Sequence, residues 1–117
     1  MNTERFTDSV REALLLAQDI VARYNHHILD AEHLLLAIIE QDDGIGRKLI
    51  ERALGDSGLR QLTRKLEAEL ARLPEVGKRD QGAATGQIYI TPNLSRVYRC
   101  AEEEAERLQD EFISLEH

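Results

Sequence analysis

Apolar residues recur at helical spacing along most of the chain. After Thr7 they fall at Val10, Ala13, Leu14, Ala17, Val21 and Tyr24, one stripe of a 3.6-residue period, with Thr7 placed as the N-cap. A turn through Asn25, His26 and His27 leads to Asp30, which should cap a second helix. Its Leu34–Ile39 run is apolar nearly all round, and such a helix belongs in the middle of a bundle. Asp42-Asp43-Gly44 ends it. A short third helix carries Ile45, Leu49, Ile50, Ala53 and Leu54. Gly55 stops that helix, and Asp56 or Ser57 starts a fourth, with leucines at 59, 62, 66, 70 and 73 before Pro74. Ile88-Tyr89-Ile90 reads as a short extended apolar stretch. Thr91 as N-cap and Pro92 at the first helical position open a fifth helix, striped by Leu94, Val97, Tyr98, Ala101, Ala105 and Leu108. The predicted fold class is all-α.

The pattern repeats. Phe6–His33 lies without a gap on Ile90–His117 at an offset of 84 positions, with identities at Thr7/Thr91, Ala17/Ala101, Arg23/Arg107, Glu32/Glu116 and His33/His117. Apolar positions agree as well: Val10/Leu94, Ala13/Val97, Leu14/Tyr98, Val21/Ala105, Tyr24/Leu108 and Ile28/Phe112. A period this long marks a tandem supersecondary unit whose copies bury their apolar faces against each other. The division is a first helical repeat over 1–73, a linker over 74–89 and an incomplete second repeat over 90–117.

Composition narrows the function classes. At 117 residues, 42% of them apolar, the chain can build one core, and its three tyrosines and two phenylalanines leave that core to Leu, Ile, Val and Ala. A net charge of −7 with no concentrated basic patch argues against nucleic acid as a partner. No secretory signal is apparent, and the longest apolar run, Leu34–Ile39, is far too short to cross a membrane, so a cytoplasmic location with no membrane partner is expected. Cys100, the single cysteine, is expected as small buried packing on the apolar side of the fifth helix.

No group of residues assembles into an active site. Gly55-Asp56-Ser57-Gly58 resembles the surroundings of a nucleophilic serine but lacks the scaffold, oxyanion hole and partners that such chemistry needs; a helix-stop, helix-start turn uses the same residues. His26 and His27 are adjacent and His33 is not spaced to share a helical face with either as a metal pair, so structural or surface roles are expected and no metal. No phosphate-cradling G-x-x-x-x-G-K-[ST] occurs. Glu102-Glu103-Glu104, Glu106, Asp110 and Glu111 read as a solvated acidic face.

Taken in order, several short pieces span the whole chain: Arg5-Phe6-Thr7, Ala13-Leu14-x-x-Ala17-Gln18 and Glu32-His33-Leu34-Leu35-Leu36-Ala37-Ile38, then Asp43-Gly44, Arg72-Leu73-Pro74, Ile90-Thr91-Pro92, Ala101–Ala105 and Asp110-Glu111-Phe112-Ile113-Ser114. Together they resemble the Clp N-terminal (Clp repeat) domain, which precedes the ATPase rings of Hsp100/Clp unfoldases. Arg72-Leu73-Pro74 followed by a glycine-containing linker looks more like the ClpB disaggregase branch than the protease-feeding ClpA or ClpC branches. The family domain holds two four-helix repeats, whereas this chain stops where a sixth helix should begin. Leu115-Glu116-His117 has two open readings: native sequence matching the Glu32-His33 turn, or the start of a polyhistidine tag after Ser114. Apolar surface left by the missing helices is expected to be compensated by self-association or by a displaced fifth helix.

The resemblance implies a non-catalytic module that binds unfolded or aggregated polypeptides and hands them to its own ATPase ring. ATP and Mg²⁺ would belong to domains outside this chain, and no cofactor is expected within it. The implied apolar groove comprises Phe6, Thr7, Ile88, Tyr89, Ile90 and Leu94, with Glu102 as an acidic rim residue. Thr7 as a cap, and Tyr89 and Ile90 as core, are the purely structural readings of the same positions. The alternative function is docking of an adaptor protein, as in a ClpA/ClpC-type unfoldase feeding a protease; an enzyme is a distant third. Glu32 and Glu116 match positions that receive phosphorylated arginine in the ClpC branch, but Ala31 and Leu115 replace the threonine that precedes them there, which speaks against that activity.

Overall fold

The structure, a computed structural model, describes residues 3–76 and 88–117. A 3-10 turn at Thr3–Arg5 leads into α1 (Asp8–Arg23), β1 (Ile28–Leu29), α2 (Ala31–Glu40), α3 (Ile45–Arg72), β2 (Tyr89–Ile90) and α4 (Pro92–Arg107). The all-α expectation holds, with two short strands added. Of the linker expected over 74–89, residues 77–87 lie outside the described residues. Val76 is tied to the end of α1, its N–H donating to the Asn25 carbonyl at 2.7 Å and its own carbonyl accepting from Asn25 Nδ2 at 2.9 Å. No helix among the described residues is long and apolar enough to cross a membrane.

The helix limits follow local chemistry. Thr7 Oγ1 accepts the Val10 N–H at 3.4 Å and Thr91 Oγ1 accepts the Leu94 N–H at 3.1 Å, each satisfying an N–H that the helix itself cannot. Asp30 and His33 form a reciprocal capping box on α2. The expected third and fourth helices are the two arms of α3, 45–54 and 56–72, and the break falls at Gly55, with φ 73° and ψ 172°. Side-chain-bearing residues rarely adopt that backbone, so glycine sets the bend.

The main core joins Ile20 and Val21 of α1, Leu29 of β1, Leu36 and Ile39 of α2, Leu59, Leu66 and Leu70 of α3, and Leu94 of α4. Ile20 lies outside the stripe expected for α1 but three residues after Ala17, and so widens its buried face. A smaller cluster holds Phe6, Ala105 and Ile113, with Val10, Leu14, Tyr98 and Ala101 packed against it. Three expectations for α4 need correction. Cys100 is exposed, because it sits about 100° around the helix from Ala101 and on the outer flank. Val97 and Leu108, expected within the buried stripe, are exposed too; among the described residues nothing covers that side of α4 as α2 covers α1.

The 84-residue repeat reappears bond by bond. Asn25 and Gln109, equivalent positions after α1 and α4, both have positive φ, 60° and 61°. The following amides also match: His26 N–H donates to Val21 O at 2.9 Å, and Asp110 N–H to Ala105 O at 2.8 Å. The repeats exchange partners at their helix starts. Thr91 N–H donates to Leu29 O at 3.2 Å, while Thr7 N–H donates to Ile113 O at 3.1 Å. β1 and β2 pair in parallel with Ile28 opposite Tyr89 and Leu29 opposite Ile90; Phe6 and Ile113 form the equivalent parallel bridge. Each unit thus uses the other to satisfy its first turn.

Candidate functional site

The exchange of partners places two apolar features at the junction of the repeats. The first is a cavity of about 120 Å³ lined by Phe6, by Val10 and Leu14 of α1, by Leu34 and Ile38 of α2, by Leu94, Val97, Tyr98 and Ala101 of α4, and by Ile113 and Leu115. An open depression of about 350 Å³ between α2, α3 and α4 adjoins it, lined by Leu34, Leu35, Ile38, Leu66 and Val97, with Glu32 at its edge. Leu34, Ile38 and Val97 belong to both, so one apolar strip runs between α2 and α4. The second feature is a ledge on β2, where Tyr89 is 62% and Ile90 is 44% exposed.

Two of the lining side chains, Phe6 and Tyr98, begin a short chain of contacts. Phe6 meets Tyr98 edge to face, with ring centroids 5.6 Å apart and planes at 77°. Tyr98 Oη donates to Glu102 Oε2 at 3.2 Å, and Arg5 Nη1 lies 3.7 Å from the same oxygen. Glu102, expected as an acidic rim residue, is outside the cavity lining, bonded to the lining residue Tyr98 and with its charge balanced by Arg5.

Of the residues expected for the groove, Phe6 and Leu94 line the cavity together. Leu94 is only 2% exposed and belongs to the core; Phe6 is buried too. Thr7 is a cap, Ile88 packs against the main core just before β2, and Tyr89 and Ile90 form β2; all four are outside the cavity lining. Sequence reasoning left out Val10, Leu14, Leu34, Ile38, Val97 and Tyr98. All six lie in the predicted apolar runs, and spacing alone does not separate an apolar side chain facing a cavity from one facing a filled core.

The histidines are not gathered as metal ligands: among the described residues no three His, Cys, Asp or Glu side chains are placed to hold an ion. His26 and His33 are instead buried against each other, His26 Nδ1 to His33 Nε2 at 2.9 Å. Ser57 is exposed within the second arm of α3.

The sequence profile of the family described as the Clp repeat (R) N-terminal domain matches residues 5–117. The chaperone protein ClpB of Nitratidesulfovibrio vulgaris is 37% identical over 117 residues, 100% of this chain and 13% of that protein. ClpB 1 of a Nostoc species is 38% identical over 113 residues, 97% of this chain and 12% of that protein. The chain thus spans 12–13% of the length of these relatives. The crystal structure of the N-terminal domain of the caseinolytic protease associated chaperone ClpD from Arabidopsis thaliana superposes with a TM-score of 0.60, over 100% of this chain and 74% of that one. Its 17% identity speaks to the fold alone. On the family match and these relatives together, the chain belongs to the Clp repeat (R) N-terminal domain family.

Proposed function

We propose that the domain is the N-terminal polypeptide-receiving module of a Clp/Hsp100 chaperone, most like the ClpB branch. It engages apolar segments of unfolded or aggregated chains and passes them to ATPase domains elsewhere in the polypeptide. It performs no catalysis itself, and ATP and Mg²⁺ act in those other domains. The observation that carries this reading is the apolar strip between α2 and α4, with Glu32 in its lining, together with the Tyr89–Ile90 ledge. Unfolded chain offers scattered apolar side chains without a fixed shape, and a shallow open surface holds such a ligand loosely enough to release it.

Fluorescence anisotropy of a labelled unfolded polypeptide tests the reading, with circular dichroism to show that each variant stays folded. Val97→Asp puts a charge where the cavity and the depression meet and is expected to weaken binding at least tenfold. Tyr89→Ala/Ile90→Ser trims the ledge and is expected to weaken it about fivefold. If neither folded variant differs from the parent, these surfaces do not receive clients. Saturable binding of one folded protein, with no affinity for unfolded chains, would favour adaptor docking.

A further inference from the structure

The two repeats solve one structural problem with different chemistry. In the first, His33 Nδ1 accepts the Asp30 N–H at 3.0 Å, so the ring proton of neutral His33 must sit on Nε2. That Nε2–H points at His26 Nδ1, 2.9 Å away, which is therefore the acceptor. His26 in turn carries its proton on Nε2, which is buried close to the Leu70 carbonyl of α3 but short of a well-formed hydrogen bond. In the second repeat His117 Nδ1 accepts the Ser114 N–H at 2.9 Å, and His117 Nε2 meets Asp110 Oδ2 at 2.7 Å. Asp110 is the 84-residue equivalent of His26. One repeat pairs imidazole with imidazole, the other imidazole with carboxylate.

Acid acts on both members of the first pair. A proton on His26 Nδ1 removes the acceptor of the His33 bond, and a proton on His33 Nδ1 removes the acceptor of the α2 cap. In the second repeat the partner of the ring is a carboxylate, which offers no second imidazole nitrogen to protonate. The corner that the histidine pair supports holds the second repeat: Leu29 O accepts the Thr91 N–H, His27 O accepts the Tyr89 N–H, and Asp30 Oδ1 accepts the Thr91 hydroxyl. We propose that the His26–His33 pair is an acid-released latch, whose protonation frees the β1 corner and loosens β2 and the start of α4 from the first repeat. The proposal does not depend on what the apolar strip binds.

The surroundings set the working range. Burial pushes His33 down to about 4, helped by His26 and opposed by Asp30. Burial also lowers His26, aided by His27 and opposed by the Leu70 carbonyl of α3 and by Glu75, while the Tyr24 ring stacks on it at 5.6 Å. The closed corner therefore binds fewer protons than the open one, and closure is fully favoured above the ordinary histidine pKa of about 6.5. It weakens as pH falls from there towards 4.

Amide hydrogen exchange, corrected for intrinsic rates, reads the latch directly. Between pH 7 and 4.5, protection at Tyr89 and Thr91 is expected to fall on the order of tenfold to a hundredfold, while the buried middle of α1 keeps its protection. His26→Asp installs the pairing of the second repeat and is expected to shrink this acid dependence, leaving only the share that His33 carries through the α2 cap. His26→Phe keeps a ring against Tyr24 and removes one of the two protonation sites, so from a lower baseline it should retain only the part of the acid dependence that His33 carries. The proposal is overturned if protection at Tyr89 and Thr91 does not change with acid, if α1 loses protection in step with them, or if every folded variant keeps the parent's acid dependence.

Discussion

Replacing Leu94 with alanine is expected to lower the free energy of unfolding by about 3 kcal/mol, read from urea denaturation followed by circular dichroism. Leu94 is 2% exposed and sits in the main core. Among the described residues it is the one buried side chain that the second repeat contributes to that core; the other ten belong to α1, β1, α2 and α3. Truncation leaves a void where α4 meets the first repeat, so that only the short β1–β2 pairing and the smaller cluster around Phe6, Ala105 and Ile113 still hold α4. Val97→Ala on the same helix should cost under about 1 kcal/mol, since Val97 is 42% exposed. Equal effects from the two substitutions would mean that α4 does not dock through Leu94.

The same residue shows where sequence was enough and where it was not. Position 94 lies in the α4 stripe and matches Val10 at the repeat offset, so an inward-facing side chain was legible from spacing. So were the caps at Thr7, Asp30 and Thr91 and the break at Gly55, because each depends on residues within one helical turn. Pairings between residues far apart in sequence were not legible. Leu29 pairs with Ile90 and Phe6 with Ile113, and nothing local to these residues records the exchange. That exchange creates the cavity and turns Phe6 inward against Tyr98 while leaving Tyr89 outside.

The histidines make the point more sharply. As a sequence, His26, His27 and His33 fail the spacing for a metal and were expected in structural or surface roles. The structure divides them: His27 is exposed, and His26 and His33 are buried as a pair. Two features put them there: the positive-φ turn at Asn25 and the α2 cap, which reaches back through His33. The repeat offset already aligned His33 with His117, yet it set His26 opposite Asp110, and without coordinates that mismatch carried no meaning.

Asp30→Ala is expected to cost about 2–3 kcal/mol, because a single carboxylate joins two helix N-termini. Asp30 Oδ1 accepts the Ala31 N–H at 2.7 Å and the Thr91 hydroxyl at 2.8 Å, and Asn93 Nδ2 lies at 3.4 Å. Thr91 Oγ1 accepts the Leu94 N–H, so the first turn of α4 is tied through one hydroxyl to the first turn of α2. Both helix dipoles present positive ends to the negative charge. Burial alone would raise the Asp30 pKa, but the bonds from Thr91, Ala31 and Asn93 outweigh it and hold the carboxyl below its ordinary value. A folded-state pKa below the unfolded one gives stability that is present above about 4 and lost as pH falls through the folded value. Asp30→Asn can still accept hydrogen bonds but carries no charge, and should cost about 1 kcal/mol at pH 7. Its deficit should shrink as pH falls below about 4, where the unfolded parent's carboxyl takes up a proton first and the folded one follows at lower pH. Urea titrations at pH 7 and pH 3 separate the two components. A deficit for Asp30→Asn that is the same at both pH values would show that the carboxylate's charge plays no part in joining the repeats.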